Sequence, residues 1–181
     1  VAGLVADQAD AKGLKLVIAI APELPDRMIG DAKRIGQVLI NFANNAVKFT
    51  EHGEIVLRVL ELGQSGWCRR MRFEVEDTGI GIAEDKLPLL FCPFQQLDGS
   101  MSRQFEGSGL GLAISKNLAE LMDGSVGVRS HPGQGSVFFL ELSLPVDTAT
   151  AGVEPSSVSL PGPAESIKEG VPSALIDGER L

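Results

Sequence analysis

With 181 residues, 44 % of them hydrophobic, the chain has material for one ordinary soluble domain and a tail. Its net charge of −8 argues against a nucleic-acid surface, which needs clustered lysine and arginine, and no apolar run approaches the roughly 18 to 20 residues of a membrane span. Cys68 and Cys92 have neither disulfide-framework nor metal-ligand spacing, which points to reduced thiols in a cytoplasmic setting.

The chain opens at Val1 rather than at Met, so it reads as a piece of a longer parent; its mixed apolar and acidic start, to Lys12, has no cleavage pattern of a signal peptide. An inner-membrane anchor in that parent is compatible with this. Leu14 to Ile20 is rich in β-branched and aliphatic residues and predicts a strand, broken by Pro22 and Pro25. Asp31 is placed to cap a helix whose apolar positions Ile35, Val38, Leu39, Phe42, Ala46 and Val47 follow the three-four spacing; His52-Gly53 ends it. Strands are predicted over Glu54 to Leu62 and Met71 to Glu76, joined by a turn around Gly63 to Gly66. A Gly-interrupted stretch of little periodicity runs from Asp77 to Gly109. A second helix spans Leu110 to Met122 and closes at Asp123-Gly124. Two strands, Val126 to Ser130 and Ser136 to Leu144, flank the turn His131-Pro132-Gly133. Strands and helices mix without strict βαβ alternation, which predicts one open sheet with its helices packed on one face.

Three groups of residues carry chemistry. Asn41, Asn45 and Lys48 lie at i, i+4 and i+7 on the first helix and so share one stripe. Amide oxygens are hard neutral ligands suited to magnesium, and a lysine one turn on can meet phosphates. A solvated polar face is the plain alternative. Asp77-Thr78-Gly79-Ile80-Gly81-Ile82 follows a strand directly: its glycines let backbone approach a flat ligand, and its aspartate can accept a hydrogen bond from an exocyclic amino group, as on adenine. Taken alone it is also a simple turn. Gly107-Ser108-Gly109-Leu110-Gly111-Leu112 opens the second helix, where free N–H groups and the positive dipole end suit an anion. Its G-x-G-x-G spacing is neither a Rossmann fingerprint nor a Walker loop.

In this order the groups resemble the boxes of the GHKL superfamily of ATP-binding domains, and within it those of the histidine kinases. Asn41 to Thr50 is similar to the N box, Asp77 to Ile82 to the first glycine box, Phe91-Cys92-Pro93-Phe94 to the F box, and Gly107 to Ser115 to the second glycine box. Gly133 to Phe138 resembles the G-x-G-S/T-x-F strand that precedes a final Leu-Pro, here Leu144-Pro145. The resemblance covers about residues 13–145. It implies the Bergerat fold, a two-layer α/β sandwich of a mixed, mostly antiparallel sheet with three helices on one face. It further implies that Asn45 coordinates magnesium with Asn41 assisting, that Lys48 meets the phosphates of ATP, and that Asp77 takes the adenine amino group. Gly79, Gly81 and Ile82 would border the base, and Ser136 would hold the water beside it. Residues 83–106 would form a lid over the nucleotide, with Arg103 a candidate phosphate contact beside Gly107, Ser108, Gly109, Leu110 and Gly111.

The superfamily's hydrolases are similar to one another in carrying a glutamate base four residues before the metal asparagine. Here that position is Asn41, and an amide cannot take a proton from water. Phosphoryl transfer to a protein acceptor is therefore expected, with a GHKL-type ATPase or a non-catalytic nucleotide-binding regulator as alternatives. His52 and His131 sit in turns and lack the context of a phospho-accepting histidine. The acceptor is thus expected upstream, in a helical dimerisation domain whose last stretch is residues 1–12, with a homodimeric parent and a response regulator or receiver domain as indirect partner. After Pro145, six acidic residues face two basic ones, and residues 146–172 read as a Pro/Ser/Gly-rich linker. The run Ala174-Leu175-Ile176-Asp177 bears some resemblance to the first strand of a receiver domain.

Overall fold

The computed structural model describes residues 2–95 and 109–147. The tail, the second half of the expected lid, and the expected site residues Arg103, Gly107 and Ser108 lie outside the described residues.

Helix α1 spans Ala2–Ala11 and leads through Gly13 into strand β1, Lys15–Ile20. Helix α2 covers Ala32–Phe49. Asp31 caps it as the sequence predicts: its carboxylate accepts from the Arg34 backbone N–H at 3.0 Å. The apolar stripe of α2 buries Val38, Phe42, Ala43, Ala46 and Val47, and Thr50 ends the helix in extended conformation. Because α2 crosses over between β1 and β2 (Glu54–Ser65), these two strands run parallel. β2, β3 (Cys68–Asp77), β5 (Gly135–Pro145) and β4 (Ser125–His131) then pair antiparallel, in the order β1-β2-β3-β5-β4. Helix α3, Gly111–Glu120, connects to β4.

Two local readings are corrected. The turn predicted around Gly63 to Gly66 is narrower: pairing continues to Ser65↔Cys68, and the register shift between Glu61 and Gly63 is absorbed as a bulge at left-handed Gly63. The stretch after Asp77, expected to be irregular, contains a short 3₁₀ helix, Glu84–Leu89, which six residues without a 3.6 period do not announce.

The two faces of the sheet differ completely. One carries all three helices, and Val5 and Ala9 of α1, Phe42 of α2 and Ala119 of α3 share a single buried core with Ile55, Met71, Val75, Phe138 and Leu140 of the strands. This is the expected mixed, mostly antiparallel sheet with three helices on one face. The opposite face is a lattice of cross-strand charges. Arg58 pairs with Glu76, Arg72 with Glu141 and Glu74, and Arg129 with Glu74, while the Arg72 and Arg129 guanidinium groups lie 4.5 and 6.0 Å from the Phe139 ring centre. One further tie matters for the site. Lys12, just past α1, sends its ammonium to the carbonyl oxygens of Val47 (2.6 Å), Lys48 (3.3 Å) and Thr50 (3.5 Å), at the negative end of α2.

Candidate functional site

Alternation along β3 puts Met71, Val75 and Asp77 on the helix side, so the last residue of the strand delivers a carboxylate to the edge of the core. Asp77 is 5 % exposed. Its Oδ1 accepts from the Gly79 backbone N–H at 2.9 Å, and the backbone N–H of Ser136, its register partner on β5, also bonds to the carboxylate. Burial pushes its pKa above the ordinary 3.8, and the two N–H bonds only partly oppose that shift. Among the described residues no lysine or arginine forms an ion pair with it.

The loop that follows is fastened at several points. Ile80 donates to the Phe49 carbonyl at the end of α2 (3.3 Å), Gly133 donates to the Ile80 carbonyl (2.7 Å), and Ile82 donates to the Ser130 hydroxyl (2.8 Å). A Cβ on Gly79 would strike the Phe49 carbonyl oxygen, and one on Gly81, at φ +68°, would strike that of His131. Close packing on the chain's own backbone is therefore a sufficient reason for both glycines, independent of any ligand.

Asn41, Asn45 and Lys48 form a half-buried stripe on α2 beside its buried face. Asn41 donates from Nδ2 to the Ser115 hydroxyl of α3 at 2.9 Å, and its oxygen lies where a Cβ on Gly111 would sit. Gly111 thus lets the N-terminus of α3 close on α2. Gly109 is left-handed at φ +66°, and Leu110 precedes the helix without a side-chain cap. Phe94 of the F-box segment, also left-handed at φ 62°, is 76 % exposed.

Ser136 faces Asp77 across the β3–β5 ladder, and its Oγ lies 3.0 Å from the Oγ of Ser130. Ser130 is the residue that sequence reasoning missed. It sits in no motif, and its only signal is a small polar side chain at a strand position that burial would reserve for an apolar one. A hollow of about 300 Å³ opens at these strand ends, walled by Asp77, Ser130, Gly135 and Ser136 together with Glu76, Arg129 and His131; Asn41, Asn45 and Lys48 are not in its walls.

Residues 30–146 match the family model described as histidine kinase-, DNA gyrase B- and HSP90-like ATPase. The chain belongs to that family. Among relatives, it is 42 % identical over 163 residues to the sensory/regulatory protein RpfC of Xanthomonas campestris, covering 87 % of this chain and 22 % of RpfC. It is 43 % identical over 142 residues to the sensor histidine kinase GacS of Pseudomonas protegens, covering 78 % and 16 %. Among solved structures, full-length ShkA in complex with AMPPNP superposes with a TM-score of 0.70 at 39 % identity, covering 81 % of this chain and 29 % of that one. This histidine kinase-type ATPase domain therefore spans less than a third of the proteins it matches here.

Proposed function

We propose that the domain binds ATP with magnesium and delivers the γ-phosphoryl group to a histidine on a separate helical dimerisation domain, within a two-component sensor histidine kinase. The observation that carries this reading is Asp77. A carboxylate 5 % exposed, held by two backbone N–H groups and by no cation among the described residues, is poised to accept from an amino group. Adenine offers that donor. Guanine presents a carbonyl there and would be repelled.

The remaining assignments follow the ligand outward. Gly79, Gly81 and Ile82 border the base, with Ser136 beside Asp77. Lys48 meets the phosphates from α2, and Gly107 to Gly111, at the positive end of α3, meets them from the other side, with Arg103 as a further contact. Among the described residues no group of three or more His, Cys, Asp or Glu could hold a metal alone. A cation here would therefore rely on amide oxygen and on the phosphates themselves, which fits magnesium. Because the Asn41 Nδ2 is committed to Ser115, which fixes its amide against α3, Asn45 is the residue that would hold the ion and Asn41 would assist. When bound, magnesium would supply charge neutralisation at the phosphates; the chain binds, orients and encloses.

Transfer is favoured over hydrolysis by the same residue. Asn41 occupies the place of a general base, and its amide, already bonded to Ser115, takes no proton from water. In this reading α1 is the end of the dimerisation helix, the parent is a homodimer acting through a response regulator or receiver domain, and this domain works in the cytoplasm. No helix among the described residues is long and apolar enough to cross a membrane. Incubation with γ-labelled ATP and magnesium, with and without the parent's histidine-bearing helical hairpin, tests the proposal. The expected result is acid-labile, base-stable label on the hairpin alone. Steady phosphate release without the hairpin would establish the hydrolase instead.

A further inference from the structure

Behind Asp77 lies a small, closed set of hydrogen bonds centred on Ser130. The two hydroxyls involved are almost fully buried, Ser130 at 8 % and Ser136 at 6 % exposure. Ser130 Oγ has three neighbours: the Ile82 backbone N–H at 2.8 Å, the Gly135 carbonyl oxygen at 2.8 Å and the Ser136 hydroxyl at 3.0 Å. A serine hydroxyl offers one proton and two lone pairs. The Ile82 N–H can only donate and the Gly135 oxygen can only accept. Ser130 must therefore accept from Ile82 and give its single proton to Gly135, since the alternative sets two oxygens face to face at 2.8 Å with no proton between them. The third contact is then settled. Ser136 donates to Ser130, and its remaining capacity toward the hollow is two lone pairs.

We propose that Ser130 is a specificity-positioning residue: by holding the Ser136 proton inward, it leaves Ser136 beside Asp77 as an acceptor only, so that the pocket selects a base carrying an exocyclic amino group over one carrying a carbonyl. The selection works whether the base meets Ser136 directly or through a water. A water bridging Ser136 and the Asp77 carboxylate spends both protons on them and turns its lone pairs to the base, where again only a donor is welcome. Without the Ser130 oxygen the Ser136 hydroxyl can rotate and donate, and a 6-oxo base gains a partner. The inference rests on the nucleotide-binding reading above and adds to it the residue that enforces base choice.

The test is calorimetric titration of the full chain with ADP and, separately, with inosine diphosphate, magnesium present in both. Inosine diphosphate replaces the amino group of adenine with a carbonyl. Wild type should prefer ADP by about 10- to 100-fold, the worth of a hydrogen bond to a charged acceptor. Ser130→Ala should weaken ADP by about 3- to 10-fold, the effect of losing one neutral hydrogen bond, and leave inosine diphosphate unchanged or tighter, so the preference narrows. Ser130→Thr keeps the oxygen and should keep the preference. Ser130→Cys, nearly the same size and a weak donor and acceptor, should narrow it as alanine does, and it covers the case in which alanine fails to fold. An equal fall for both nucleotides, or an unchanged preference in the alanine and cysteine variants, would show a merely structural serine and overturn the inference. Failure of wild type to bind either nucleotide would instead sink the nucleotide-binding reading itself.

Discussion

Glu76 and Asp77 are neighbours on one strand and opposite in kind. Glu76 points to the open face of the sheet, where Arg58 neutralises it, and Glu74 on the same side is gripped by Arg72 and Arg129. Asp77 points to the helix side, where burial raises its pKa and, among the described residues, backbone N–H groups alone answer its charge. On the outer face every carboxylate named has a guanidinium, and the pairs hold the strands in register. On the inner face one carboxylate is kept without a cation partner among the described residues, at a cost in desolvation that the fold alone does not require. The carboxylate without a cation partner among the described residues is the one to read as functional.

The largest blow to this contrast should come through the backbone behind Asp77. Gly135 has φ +91°, and a Cβ there would run into the Asp77 carbonyl oxygen. Gly135→Ala is expected to lower stability by about 2–4 kcal/mol in urea unfolding, from strain and clash together, and to weaken nucleotide binding in the folded fraction. On the outer face Glu74→Ala removes a carboxylate that is 5 % exposed and leaves two arginines, one of them 61 % exposed and able to turn to water. A loss of about 1–2 kcal/mol is expected, with nucleotide affinity unchanged. Arg58→Gln should cost less than about 1 kcal/mol, because that pair is a third exposed on both sides.

The finest separation is in pH. The folded-state pKa of Asp77 lies above its unfolded value of 3.8, so burial of the charged form subtracts stability. That deficit is absent below 3.8, grows as pH rises through the raised pKa, and is complete above it. Nucleotide affinity should move the opposite way, falling as acid protonates the acceptor. Asp77→Asn should flatten this contribution in both curves, whereas Arg58→Gln should leave it in place; urea midpoints and ADP titrations between pH 4 and pH 7 (roughly the window above the ordinary carboxylate value) check both.

Much of this was legible in the sequence, and the limits have physical causes. The Asp31 cap, the α2 stripe and the five strands follow from local chemistry and periodicity, which need no knowledge of what lies across the sheet. The placing of Asn41, Asn45, Lys48 and Asp77 on ordered elements follows too. The charge lattice does not, since Arg72 meets Glu141 only because β5 is inserted between β3 and β4. The glycines have a second reason that the sequence does not announce: a Cβ at Gly79 or Gly81 would meet the Phe49 or the His131 carbonyl, contacts made across the fold. Ser130 was invisible because its role is set by three partners, Ile82, Gly135 and Ser136, brought together by the β4–β5 register.

The most direct test of the central claim, that Asp77 is the base-reading acceptor, is a calorimetric titration of wild type and Asp77→Asn with ADP and magnesium at neutral pH. Wild type should bind, and the variant should bind about 10- to 100-fold more weakly while remaining folded, as expected for loss of a charged hydrogen-bond acceptor. Equal affinity in the two proteins would contradict the account.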